Sequence, residues 1–146
     1  MSVDAPYVDS SALAKWYLNE SGSAEFVAFI RAQHLALISR LTVVEIRSLL
    51  ARRLRAGDIT ADYHQDAIRT FDGDVRRGFL QVEPLFDNQA VIAADFIDRL
   101  VDQPLRTLDA LHLAVAHTTG VRLVATADRA LARAAEALGF ATVTFG

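Results

Sequence analysis

Short apolar runs alternate along the chain with longer stretches in which apolar residues recur every three or four positions. Pro6-Tyr7-Val8-Asp9 reads as a short strand with an acid at its end. Ser10 to Asn19 reads as a helix, with Leu13, Trp16 and Tyr17 at helical spacing. Ser21-Gly22-Ser23 breaks it and caps a second helix carrying Phe26, Val27, Phe29 and Ile30. Leu35 to Ser39 predicts a second strand. Thr42 to Arg55 predicts a third helix, ended by Gly57, and Ile59 to Arg77 a fourth that is more polar. Phe79 to Glu83 is a third strand closed by Pro84. Asn88 to Val101 and Thr107 to His117 are further helices, stopped before Pro104 and by Gly120. Val121 to Ala125 is a fourth strand, Arg129 to Leu138 a last helix with Gly139 at its end, and Phe140 to Phe145 a fifth strand at an edge.

This alternation predicts an α/β sandwich: a mainly parallel sheet of about five strands with helices on both faces. No repeat, linker or low-complexity stretch interrupts it, so residues 1–146 read as one domain. Hydrophobic residues make up 52% and charged residues 23% of the 146, which is a globular composition. The chain has no cysteine, which excludes disulfides, thiolate catalysis and Cys-rich zinc sites. A formal charge of −3 supplies no global positive field to draw the chain onto nucleic acid or membrane. No apolar run reaches the ~18–20 residues of a membrane span. Met1-Ser2-Val3-Asp4-Ala5-Pro6 lacks the basic-then-apolar order of a secretory leader. A cytoplasmic location is the expectation.

Four acids fall in unusual places. Asp9 follows the first strand and Asp128 the fourth. Glu45 interrupts Leu41-Thr42-Val43-Val44-Glu45-Ile46, and Asp109 interrupts the almost wholly apolar Leu108-Asp109-Ala110-Leu111-His112-Leu113. Singly, each has a plain explanation. Asp9 and Asp128 suit helix N-caps, Asp109 suits a first helical turn, and Glu45 suits the solvated rim of an apolar stripe. Together they suggest more. Sites in open α/β sheets form beyond the carboxyl ends of strands, where strand order reverses. Asp9 and Asp128 would face one another there, with Glu45 and Asp109 entering from helices. Four ionised carboxylates repel and raise one another's pKa. An all-oxygen donor set suits Mg²⁺ or Mn²⁺, and a pair of such ions can promote phosphodiester hydrolysis.

Tyr7-Val8-Asp9-Ser10-Ser11-Ala12-Leu13-Ala14-Lys15 resembles PIN-domain proteins, in particular VapC-type toxins of bacterial toxin–antitoxin pairs. The resemblance continues through Glu20-Ser21-Gly22-Ser23, Ser39-Arg40-Leu41-Thr42-Val43-Val44-Glu45-Ile46 and Arg52-Arg53-Leu54-Arg55-Ala56-Gly57. It is strongest at Arg106-Thr107-Leu108-Asp109-Ala110-Leu111-His112-Leu113-Ala114. It closes with Ala125-Thr126-Ala127-Asp128-Arg129-Ala130-Leu131 and Ala137-Leu138-Gly139. It implies a PIN-like three-layer sandwich and a Mg²⁺- or Mn²⁺-dependent endoribonuclease. Its catalytic and metal-binding acids would be Asp9, Glu45, Asp109 and Asp128, with Ser10 and Thr126 supporting them. It further implies an RNA substrate, inhibition of translation and growth, a cognate antitoxin and a homodimer.

Other features read plainly. His112 is a satisfied, partly buried histidine that cleavage does not need, and the arginines after Glu45 form a solvated face. A phosphoacceptor or Asp-nucleophile phosphatase domain would want a second acid close after Asp9, where Ser10-Ser11 stands. A partner-binding domain whose acids are only helix caps is the remaining alternative.

Overall fold

The computed structural model describes residues 4–146; Met1, Ser2 and Val3, part of the segment read for a leader, lie outside the described residues. Five strands form one sheet: β1 (Tyr7–Val8), β2 (Ala36–Ser39), β3 (Leu80–Glu83), β4 (Leu123–Thr126) and β5 (Ala141–Thr144). Their spatial order is β3-β2-β1-β4-β5 and every pairing is parallel. The chain builds outward from β1 to β3, then returns to the other side of β1 with β4. Strand order therefore reverses between β1 and β4, whose register pairs Val8 with Ala125. That crevice is where open α/β sheets present their sites.

Seven helices cover the two faces. On one lie α1 (Ser10–Tyr17), α2 (Ser23–Arg31), α3 (Arg40–Arg55) and α4 (Ala61–Arg76). Leu13, Phe26, Ile30, Ile46, Leu50 and Phe71 pack there against Val8, Ile38 and Leu80. On the other lie α5 (Asp87–Arg99), α6 (Thr107–Thr119) and α7 (Arg129–Ala137). Phe96, Leu113, Val115 and Leu131 pack there against Tyr7, Leu37 and Val124. The inner strands are buried on both faces, which is why β1 and β2 carry continuous apolar runs. This is the expected three-layer α/β sandwich.

Several boundaries shift by one or two residues from those expected, two of them for plain local reasons. The first helix ends at Tyr17, not Asn19, because Leu18 turns extended and its carbonyl accepts a 2.9 Å hydrogen bond from Ser23 Oγ. The third helix starts at Arg40, not Thr42. Ser39 closes β2 and caps α3 at once, and Ser39 and Thr42 form a reciprocal capping box. No helix among the described residues is long and apolar enough to cross a membrane.

Candidate active site

Asp9 continues β1 by one residue, its amide donating to the Ala125 carbonyl at 3.1 Å. It is also the N-cap of α1, accepting from the Ala12 amide at 3.0 Å. Its carboxylate is buried, and four hydrogen bonds hold it. Ser11 Oγ donates to both oxygens, at 2.8 and 2.9 Å, and Thr126 Oγ1 donates to Oδ2 at 2.7 Å. Burial nonetheless pushes its pKa above the usual carboxylate range, because removal from water disfavours the charged form.

Thr126, the last residue of β4, also accepts from the Asp128 amide at 3.0 Å. One hydroxyl thus bridges the ends of the two switch-point strands. Asp128 caps α7, with Oδ1 accepting from the Ala130 and Leu131 amides at 2.8 and 3.2 Å. Both expected caps are therefore real.

Asp109 differs. It sits in the first turn of α6, half-buried, and no hydrogen bond to its carboxylate is found among the described residues. Burial first, then the charges of Asp128 and Asp9, raise its pKa to about 6, and His112 and Arg106 only partly offset them. The switch point thus gathers three carboxylates, with Asp9 and Asp128 close enough to act on Asp109.

Glu45 enters by a separate route. On α3, its Oε1 lies 2.6 Å from His112 Nε2, and His112 Nδ1 lies 2.6 Å from the Tyr7 hydroxyl. Burial lifts the Tyr7 pKa far above its usual value, so the phenol keeps its proton. Tyr7 then donates to Nδ1, and Nε2–H donates to Glu45. His112 is buried and satisfied, as its setting in an apolar helix suggests. Its bond to Glu45, linking β1, α6 and α3, could not be read from the sequence.

The sequence also missed Ser11. Its hydroxyl braces Asp9, accepts from the Ala127 amide at 2.9 Å and lies 3.2 Å from Thr126 Oγ1. Ser10, singled out instead, makes no side-chain hydrogen bond among the described residues. Two adjacent serines follow Asp9, and the sequence carries no signal that separates them.

Among the described residues no three Asp, Glu or His side chains converge tightly enough to hold a metal ion as they stand. The donor chemistry nevertheless fits a hard divalent cation. All donors are carboxylate oxygens, and Asp109 lacks a hydrogen-bond donor while two like charges face it.

This arrangement sets an acid cluster at the β1–β4 reversal of a parallel three-layer sandwich. The PIN domain family pattern matches residues 7–137, and the chain belongs to that family. It is 32% identical over 142 residues to Ribonuclease VapC46 of Mycobacterium tuberculosis, covering 95% of this chain and 96% of that protein. Among solved structures it resembles Mycobacterium tuberculosis VapC20, described as a toxin that cleaves the sarcin–ricin loop. The TM-score is 0.74 at 18% identity, over 96% of this chain and 99% of that one. It also resembles a DNA-bound VapBC from Salmonella typhimurium, with TM-score 0.68 at 16% identity, over 97% and 98% of the two chains.

Proposed function

We propose that this protein is an endoribonuclease of one PIN-like domain, residues 1–146, that hydrolyses RNA phosphodiester bonds as the toxin of a toxin–antitoxin pair, inhibiting translation and growth. The observation that carries the reading is Asp109. Its carboxyl has no donor among the described residues and is held at a pKa of about 6 by burial and by Asp128 and Asp9. A helix cap or an idle surface acid has no need of that environment. Membership of the PIN-domain family and the likeness to Ribonuclease VapC46 support the substrate class.

Asp9, Asp109 and Asp128 would hold Mg²⁺ or Mn²⁺, with Glu45 at the second ion or a water beside it. When bound, the metal supplies Lewis-acid activation of water and stabilisation of the leaving oxygen. The chain's own residues prepare the site. Ser11 and Thr126 fix both Asp9 oxygens, so that carboxylate is oriented before substrate arrives. Thr126 couples Asp9 to the Asp128 backbone. His112, braced by Tyr7, aims the Glu45 carboxylate.

A homodimer, a cognate antitoxin and a cytoplasmic location belong to the same proposal. They rest on the VapC likeness and on the VapBC assembly of a structural neighbour. The alternative, a partner-binding domain, draws on the true caps at Asp9 and Asp128. Capping uses one oxygen of each, however, and explains neither the Thr126 and Ser11 bonds to Asp9 nor Asp109.

The test is RNA cleavage by purified protein with Mg²⁺ or Mn²⁺. Cleavage that stops with EDTA and with Asp109→Asn, while the variant stays folded by circular dichroism, supports the proposal. Equal rates for wild type and Asp109→Asn would remove Asp109 from the chemistry.

A further inference from the structure

Beside the acid site lies a smaller cavity of about 320 Å³, lined by Lys15, Ser21, Ala127, Arg129, Thr144 and the chain's last two residues. Two side-chain cations, Lys15 and Arg129, line it, and Gly146, with its α-carboxyl group, lines it beside Lys15. Lys15, the only lysine of the chain, is buried. Its ammonium donates to the Ser21 carbonyl and lies 3.4 Å from Glu20 Oε1. Glu20 is shared, because Arg53 donates to its other oxygen at 3.1 Å. An ammonium has three donors, so Lys15 keeps one beyond Ser21 and this long contact. Arg129 is exposed and makes no ion pair among the described residues. A buried lysine, a free arginine fork and the Thr144 hydroxyl together suit one phosphate group.

The cavity is coupled to the candidate active site. Ala127 forms its wall, and the Ala127 amide donates to Ser11 Oγ, which in turn donates to Asp9. Lys15 stands six residues beyond Asp9 on α1, about 9 Å along the axis at 1.5 Å per residue. That is close enough for a neighbouring phosphate of the same strand.

We propose that Lys15 and Arg129 form a phosphate subsite that grips the RNA backbone beside the phosphodiester being cut. The anion chemistry stands on this geometry, while the naming of RNA as its source rests on the ribonuclease reading. The subsite would offset the repulsion that the −3 chain and its acid cluster exert on a polyanion.

Two measurements test it. The first needs no catalysis: inorganic phosphate is titrated into the protein while the amide resonances of Ala127 and Thr144 are followed. Saturable shifts in wild type that vanish in Arg129→Ala support the subsite; their absence in wild type overturns it. The second compares RNA with bis(p-nitrophenyl) phosphate, a diester with no neighbouring phosphate. Arg129→Ala is expected to raise KM on RNA about five- to twentyfold and to reduce the slope of log affinity against log salt by ~0.7, one single-strand contact. The loss on RNA should exceed the loss on the small diester at least fivefold. Equal losses on both, or an unchanged salt slope, overturn the subsite. Lys15→Met, checked by thermal melting, should show the same RNA-selective loss if it folds; Arg129→Ala carries the test if it does not. Phosphate shifts without RNA cleavage by wild type would leave the subsite standing and overturn only the ribonuclease reading.

Discussion

A broad cavity and the acid cluster lie in different places, and they are built in opposite ways. The cavity, about 850 Å³, runs beside β3 from the residues preceding β1 and β2 to the start of α5. Leu35, Leu37, Pro84 and Phe86 give it apolar walls, and its polar groups are mostly uncharged amides and hydroxyls such as Gln33, Gln81, Asn88 and Thr118. Gln89, at its edge, already donates to Thr118 and accepts from the Phe86 amide. The β1–β4 crevice instead gathers Asp9 and Asp109, both pushed up by burial, with Asp128 beside them. Volume marks where something could fit. Unrelieved like charge marks where the fold is held in a state that only a ligand or reaction explains.

The sharpest way to break this contrast is to mutate both regions. Asp109→Asn should lower RNA cleavage ~10²- to 10⁴-fold, the range for a group acting in the transition state. Gln81→Ala, in the groove, should change it by less than about twofold. Comparable losses at the two positions, measured as kcat/KM at fixed salt and metal, would erase the distinction.

Metal gives the next largest effect. Mg²⁺ or Mn²⁺ at a hundredfold excess over Kd should stabilise wild type by about 2.7 kcal/mol through mass action. Asp9→Asn and Asp109→Asn should reduce that gain, whereas Gln81→Ala should leave it intact. A thermal melt that ignores saturating metal in wild type would count against the acid cluster as a cation site.

His112→Ala should destabilise the fold by about 2 kcal/mol, because it strands the buried Tyr7 hydroxyl and frees Glu45. It should lower cleavage as well, though less than Asp109→Asn. Unfolding in urea reads the first effect and kcat the second. The sequence alone expected His112→Ala to keep cleavage, so full activity would return the histidine to a packing role.

The smallest effect is on stability against pH. The folded pKa of Asp109, about 6, lies above its unfolded value, so the folded state binds the proton more tightly. The penalty is full above pH 6 and is relieved as pH falls from about 6 towards the unfolded carboxyl value. At pH 7 Asp109→Asn should therefore stabilise the metal-free protein by roughly 1 kcal/mol after discounting for solvent screening. That is a few degrees in Tm for a domain of this size. The advantage should shrink by pH 5, and an advantage that grows on acidification would reverse the assignment.

The sequence by itself determined the elements and the layer architecture. Val8, Ile38 and Val124 lie in short apolar runs, and Leu13, Ile46 and Leu113 recur at helical spacing, because burial against a sheet imposes those periods locally. It also placed acids at the ends of the first and fourth strands and inside two apolar helices. Only the tertiary structure decided which strands adjoin, and hence that Val8 pairs with Ala125 and that Asp9 and Asp128 share one crevice. It alone chose Ser11 over Ser10, because a helix's phase relative to its cap is set by where the chain enters from the sheet. It alone joined Tyr7, His112 and Glu45, which lie on three elements far apart in sequence. Periodicity is a property of neighbours along the chain. Contacts across the sheet depend on how the helices dock, and no short stretch of sequence carries that information.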